Sequence, residues 1–74
     1  MKKKEFDETL RTLIRRDPFL PFVVEMADGT RIEIDSPSVA FNDGAAGYIS
    51  STNEVFFFNF RTVREFVSPT RESA

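Results

Sequence analysis

The sequence predicts a mainly β fold, in which an N-terminal amphipathic α-helix precedes a small, strongly bent antiparallel sheet or barrel of five to six strands. Three observations support this prediction. Residues 5–16 carry apolar side chains at helical spacing, residues 21–35 have the pattern of a hairpin, and several short apolar segments then alternate with turn residues. With 74 residues, the chain has room for one domain, residues 1–74, with one small core.

The first element is a helix predicted over residues 5–16. Its apolar side chains recur at i, i+4, i+7 and i+8 and form one stripe: Phe6, Leu10, Leu13 and Ile14. Acidic residues in the first turn, with Arg15 and Arg16 in the last, complement the helix dipole. We therefore expect the helix to pack its apolar stripe on the sheet.

The turn of the hairpin is marked by Asp28-Gly29, because glycine supplies the positive φ that a tight turn needs. A two-residue loop would place apolar and charged residues together on both faces. A three-residue loop, residues 27–29, gives one apolar and one polar face instead. The cross-strand pairs that it predicts are Val24–Ile32, Phe22–Ile34 and Glu25–Arg31.

Three further segments follow the hairpin before the strongest strand pattern of the chain. A third strand is predicted at residues 39–41, a turn or bulged loop at residues 42–47, and a resumed strand at residues 48–51. Thr52-Asn53 is then a turn.

Residues 54–60, EVFFFNF, form the strongest predicted strand. One face carries phenylalanine at alternate positions, and the other carries Val55, Phe57 and Asn59. Two apolar faces mean either burial on both sides or an exposed patch. Val55 and Phe57 are therefore the candidate residues for an interface with a second subunit or another protein.

The C-terminal part is predicted to finish the sheet, which spans residues 21–67. Phe60, Val63 and Phe66 recur every three residues, which favours a single helical turn before a last short strand at residues 64–67. Residues 68–74 are polar, and we expect a loose tail there.

Composition argues against catalysis and against a metal or cofactor. The chain has neither Cys nor His, so it lacks thiolate chemistry, the usual general base near neutral pH and the commonest metal ligand. Carboxylates in the hairpin, such as Glu25, Glu33 and Asp35, have no evident cleft, and no acidic group has EF-hand spacing. The glycine-rich loop at residues 42–47 has no P-loop lysine. We expect no catalytic, metal-binding or cofactor-binding residues.

The net charge of −2 is distributed unevenly, with +3 in residues 1–16, −6 in residues 17–60 and +1 in residues 61–74. The candidate nucleic-acid contacts are Lys2, Lys3, Lys4, Arg11, Arg15 and Arg16. An isoelectric point of about 5.0 and an acidic sheet disfavour this use. No apolar run approaches the ~20 residues of a membrane helix, and the first residues, MKKKEFDE, lack the apolar h-region of a signal peptide. We therefore expect a cytoplasmic protein without a membrane partner.

The pattern PFLPFVVEMADGTRIEIDSP, followed by Val39 and by phenylalanine or valine at positions 60, 63 and 66, resembles a family of small uncharacterised bacterial proteins. Its members have Pro-Phe-x-Pro-Phe, an Asp-Gly hairpin and a Val-x-His-Pro-Glu corner, and the resemblance covers residues 6–67. At that corner this chain has Ile34-Asp35-Ser36-Pro37-Ser38, with Ser in place of both the His and the Glu. The resemblance implies no activity, and no role of that His or Glu carries over.

The order of elements is also similar to that of Sm-like and SH3-like small barrels. Sm-like proteins, which include the bacterial RNA chaperone, form rings that bind RNA. Where they have a Tyr-Lys-His-type motif before the last strand, this chain has Asn59-Phe60-Arg61-Thr62. We expect a non-enzymatic module that assembles with itself or binds another protein. The alternative is an Sm-like RNA-binding oligomer that uses the basic N-terminal helix.

Overall fold

The computed structural model describes residues 1–68, which form one helix and six strands in two three-stranded antiparallel sheets. The elements are α1 (Lys3–Ile14), β1 (Phe22–Met26), β2 (Arg31–Ile34), β3 (Val39–Asn42), β4 (Ala45–Ile49), β5 (Val55–Asn59) and β6 (Val63–Val67). One sheet has the strand order β2-β1-β6 and the other β3-β4-β5. The predicted mainly β, antiparallel fold with an N-terminal helix is confirmed. Across residues 1–68, no strand pairing joins the two sheets into a closed barrel. Of the predicted tail, residues 69–74 lie outside the described residues.

Helix α1 begins and ends two residues earlier than predicted, at Lys3 and Ile14. Arg11 is therefore the basic residue of the last turn, and the prediction that Arg15 and Arg16 lie in that turn is wrong. The Arg15 N–H still donates to the Arg11 carbonyl at 3.0 Å. Arg15 is the C-cap residue, with φ −90° and ψ 1°. The predicted stripe is confirmed, with Phe6, Leu10 and Leu13 buried and Ile14 packed against the core.

The predicted hairpin register is confirmed, since Phe22 pairs with Ile34, Val24 with Ile32, and Glu25 with Arg31. Gly29 has a φ of +93°, and the Met26 N–H donates to the Thr30 carbonyl at 2.7 Å across the loop. The Asp28 carboxylate accepts a hydrogen bond from the Thr30 N–H at 2.9 Å. This bond lowers the pKa of Asp28 from its usual value of 3.8.

The loop predicted at residues 42–47 is wrong, because Asp43 and Gly44 alone make the turn and β4 already begins at Ala45. Asp43 and Gly44 have φ values of 54° and 83°. Positive φ at both central residues is the geometry of a tight two-residue hairpin turn, so the small residues that follow are free to pair with β3. Helix α1 holds this turn, since Asp7 Oδ1 accepts the Gly44 N–H at 2.9 Å.

The helical turn predicted from Phe60, Val63 and Phe66 is also wrong, because Val63 belongs to β6. Pairing with β1 places Phe66 opposite Val24 and Val63 opposite Met26, with a register shift between them. A β-bulge adds one residue to a strand. In β6 the extra residue lets Val63 and Phe66, which are three positions apart, face the same side of the sheet. The bulge therefore produces the spacing that resembles a helix.

The core lies where α1 and the two sheets meet. Phe6 of α1 is fully buried, and the centroid of its ring lies 6.1 Å from that of Phe58 on β5 and 5.7 Å from that of Phe66 on β6. One apolar side chain thus packs against both sheets. The other buried core residues are Leu10, Leu13, Phe22, Val24, Ile32, Ile34, Ala46, Tyr48, Phe58 and Val63.

Candidate interaction surface

The most exposed large apolar side chains of the described residues lie on one side of the β3-β4-β5 sheet. Phe57 is 78 % exposed, Ile49 53 % and Val55 52 %. Ile49 and Val55 are directly paired across β4 and β5, and Phe57 follows Val55 on the same face of β5. The three side chains therefore belong to one cluster.

The outer face of this sheet has no charged side chain. The alternation of each strand assigns to it Ala40, Asn42, Ala45, Gly47, Ile49, Val55, Phe57 and Asn59. We call this surface the uncharged face. The inward-facing residues of the same strands include Ala46, Tyr48 and Phe58, which are buried in the core.

The outer face of the β2-β1-β6 sheet is different, because charged residues line it. Glu25 is paired with Arg31 of β2 and with Glu65 of β6, and Arg64 Nη2 lies 3.4 Å from Glu25 Oε2. A charged outer face is ordinary for an antiparallel sheet that has water on one side. The uncharged face differs from it, and an exposed apolar patch of this kind is a candidate interaction site.

Phe57 and Gly47 shape the centre of the uncharged face. They are opposite each other in the β4–β5 ladder, and a Cβ atom on Gly47 would lie 3.2 Å from Phe57 Cε1. The ring therefore lies against the glycine backbone. Beside it is an open depression of about 360 Å³, which residues of all three strands line, among them Ala40, Phe41 and Ala46.

The two residues predicted as an interface, Val55 and Phe57, thus lie together on an exposed surface. Sequence reasoning missed Gly47, which it assigned to a loop, and it did not name Ile49 of the predicted strand at residues 48–51 as part of this surface. The signal that could have assigned Gly47 to a strand is Asp43-Gly44, a dipeptide typical of two-residue hairpin turns.

The six basic candidates for nucleic-acid contact are all exposed, but they do not form one basic surface. Lys3 Nζ is bound to Asp43 Oδ1 at 3.0 Å, next to the β3–β4 turn. Lys4 and Arg11, seven residues apart, share a helix face with the acidic Glu8 between them. Lys2 precedes the helix, while Arg15 and Arg16 follow it.

Behind the uncharged face, Tyr48 is fixed in the core. Its hydroxyl donates to Asp35 Oδ1 and accepts the Asp35 N–H at 3.3 Å, and its ring stacks on Phe56 with centroids 6.2 Å apart. Burial raises the pKa of Tyr48 above its usual value of 10.0, and the hydrogen bond to Asp35 raises it further. These contacts anchor the inner side of β4 and β5.

No helix among residues 1–68 has the length and apolar character to span a membrane. In the same range, no group of three or more Asp, Glu, His or Cys side chains is arranged to hold a metal ion. Comparisons of the chain with protein-family models, with curated proteins and with solved structures find no match. The resemblances to the bacterial family and to Sm-like and SH3-like barrels stay predictions.

Proposed function

We propose that this protein is a non-enzymatic, cytoplasmic module that assembles with a second copy of itself through the uncharged face. The observation that carries the proposal is the cluster of Ile49, Val55 and Phe57, each more than half exposed on a surface without charge. Fully burying a large apolar side chain contributes roughly 1.5–3 kcal/mol. A partner that covers part of this cluster would therefore stabilise an assembly.

A second copy suits this surface for two reasons. A domain of this size buries a smaller fraction of its surface on folding than a larger domain does, and small domains commonly gain stability by oligomerising. In addition, the uncharged face can lie next to an identical face without repulsion between like charges at the contact. Contacts between identical patches are those of a two-fold symmetric dimer.

The test is the mass in solution of three proteins over a range of concentrations: the natural chain, Phe57→Glu and Leu20→Glu. Leu20 is the matched control, because it is a large apolar residue, 39 % exposed, that lies outside both sheets. We expect the natural chain and Leu20→Glu to exceed the monomer mass of 8.5 kDa, and Phe57→Glu to remain a monomer. Circular dichroism confirms that the variants are folded.

A natural chain that stays at 8.5 kDa at every concentration would refute self-assembly. Assembly that survives Phe57→Glu but is lost in Leu20→Glu would move the interface away from the uncharged face. Both outcomes contradict the proposal, and they differ in which part of it fails.

A further inference from the structure

We infer that two copies join edge to edge, with β5 of one pairing antiparallel with β5 of the other to make one continuous six-stranded sheet. This inference rests on the proposed self-assembly and specifies its geometry. The two-fold axis passes beside Phe56, so that Val55 of each copy pairs with Phe57 of the other. The uncharged faces of both copies then lie side by side on the joined sheet.

The backbone of β5 has the groups that such pairing needs. The Phe60 N–H donates to the Gly44 carbonyl and the Ser50 N–H donates to the Glu54 carbonyl, both at 2.8 Å. In an antiparallel ladder alternate residues bond to the partner strand, so the even-numbered residues of β5 face β4. The N–H and C=O groups of Val55 and Phe57 therefore point to the opposite edge. Within residues 1–68, β4 is the strand that pairs with β5.

Among the four strands that form sheet edges, β5 is the least protected. Charged side chains protect an edge strand against unwanted pairing, as does a bulge or a covering element. Strand β2 carries Arg31 and Glu33, and β6 carries a bulge as well as charges. Strand β3 is in contact with α1. Residues 55–59, VFFFN, contain no charge, and among residues 1–68 the strand that pairs with β5 is β4, which leaves the other edge of β5 without a strand partner.

Asn59 decides the register. Its N–H donates to Thr62 Oγ1 at 3.2 Å, and its carbonyl accepts the Thr62 N–H at 3.1 Å. These bonds already occupy the outward backbone groups of Asn59. If the two-fold axis passed beside Phe57, Asn59 of one copy would have to pair with Val55 of the other, and its outward N–H and C=O groups are already bound. If the axis passes beside Phe56, only the outward backbone groups of Val55 and Phe57 take part in the pairing.

Hydrogen exchange of single amides, followed by NMR on the natural chain as it is diluted, tests the inference. At concentrations where the mass is that of a dimer, we expect the amides of Val55 and Phe57 to exchange at least about tenfold more slowly than in the monomer. The Asn59 amide is the internal control, because its bond to Thr62 does not depend on assembly.

A dimer in which the Val55 and Phe57 amides stay unprotected overturns edge pairing and leaves the proposed self-assembly intact. A chain that remains a monomer overturns both. The exchange measurement thus separates failure of the geometry from failure of the function.

A pair of variants at Val55 gives a second, independent test. Val55→Pro removes the outward N–H at the first residue of β5, a position where proline is tolerated in a strand, and Val55→Thr keeps that N–H with a side chain of similar shape. We expect the proline variant to be a monomer and the threonine variant to assemble. A folded proline variant that assembles like the natural chain contradicts edge pairing. If the proline variant does not fold, the exchange measurement decides.

Discussion

Phe57 of β5 lies with its ring against the backbone of Gly47, its partner on β4. The hydrogen-bonding order of the ladder makes these two residues a non-hydrogen-bonded pair, in which opposing side chains come closest. An aromatic ring that covers a glycine in this way replaces the missing side chain contact within the sheet. The ring is nevertheless 78 % exposed, so most of it is available to a partner.

Gly47→Ala should weaken self-assembly more than it weakens the fold. The new Cβ would lie 3.2 Å and 3.4 Å from two ring atoms of Phe57, and we expect the exposed ring to move away from it. Because the φ of Gly47 lies outside the left-handed region, the free energy of unfolding should change by less than about 1 kcal/mol. Urea unfolding and mass in solution measure the two effects. A stability loss of several kcal/mol with unchanged assembly would contradict this view of the pair.

Gly44→Ala should destabilise the protein more than Gly29→Ala does. Both glycines have positive φ, which costs an alanine roughly 1–2 kcal/mol. Around Gly29 a Cβ would meet nothing within 4 Å, whereas at Gly44 it would lie 2.7 Å from a ring atom of Phe60. We expect overpacking to add about 1 kcal/mol or more at Gly44. Urea unfolding of the two variants measures the difference, and equal losses would show that the turn at Gly44 relaxes freely.

Stability should fall as the pH rises above 10.0, through ionisation of Tyr48. Its pKa is raised in the folded state, so folding favours the neutral phenol. The resulting stabilisation is complete below the unfolded pKa of 10.0 and is lost as the pH rises through the folded value. The chain contains one tyrosine, so ultraviolet titration of tyrosinate reports this group alone.

The control for this loss of stability at alkaline pH is the variant Tyr48→Phe. Urea unfolding of this variant should show less loss of stability above pH 10.0 than the natural chain shows. A tyrosine that titrates at or below 10.0 in the folded protein would mean that its hydroxyl is not held in the core as described.

Reversing the charges of Arg15 and Arg16 together, to Glu, should leave self-assembly unchanged, because both residues follow α1 and lie outside the uncharged face. The same variant should abolish any salt-dependent binding of RNA, since neutralising phosphates requires cations. Light scattering and a fluorescence titration with single-stranded RNA measure the two properties. Loss of assembly in the variant would contradict an interface confined to the uncharged face and would place Arg15 or Arg16 at the contact between subunits.

The sequence determined the elements whose cause is local. The register of the β1–β2 hairpin follows from Gly29 in the turn and from the alternation of Val24, Glu25 and their neighbours, and the structure has the same pairs. The stripe on α1 follows from the helical period alone. In both cases, residues close in the chain decide the outcome.

The tertiary structure decided what depends on residues far apart. The sequence left two possibilities for Val55 and Phe57, burial or exposure, and they are exposed because no described element covers the outer side of β5. The three-residue spacing of Val63 and Phe66 fits either a helical turn or a bulged strand. The pairing of β6 with β1 selects the bulged strand. A local pattern specifies which side chains share a face, but what covers that face depends on the packing of the whole chain.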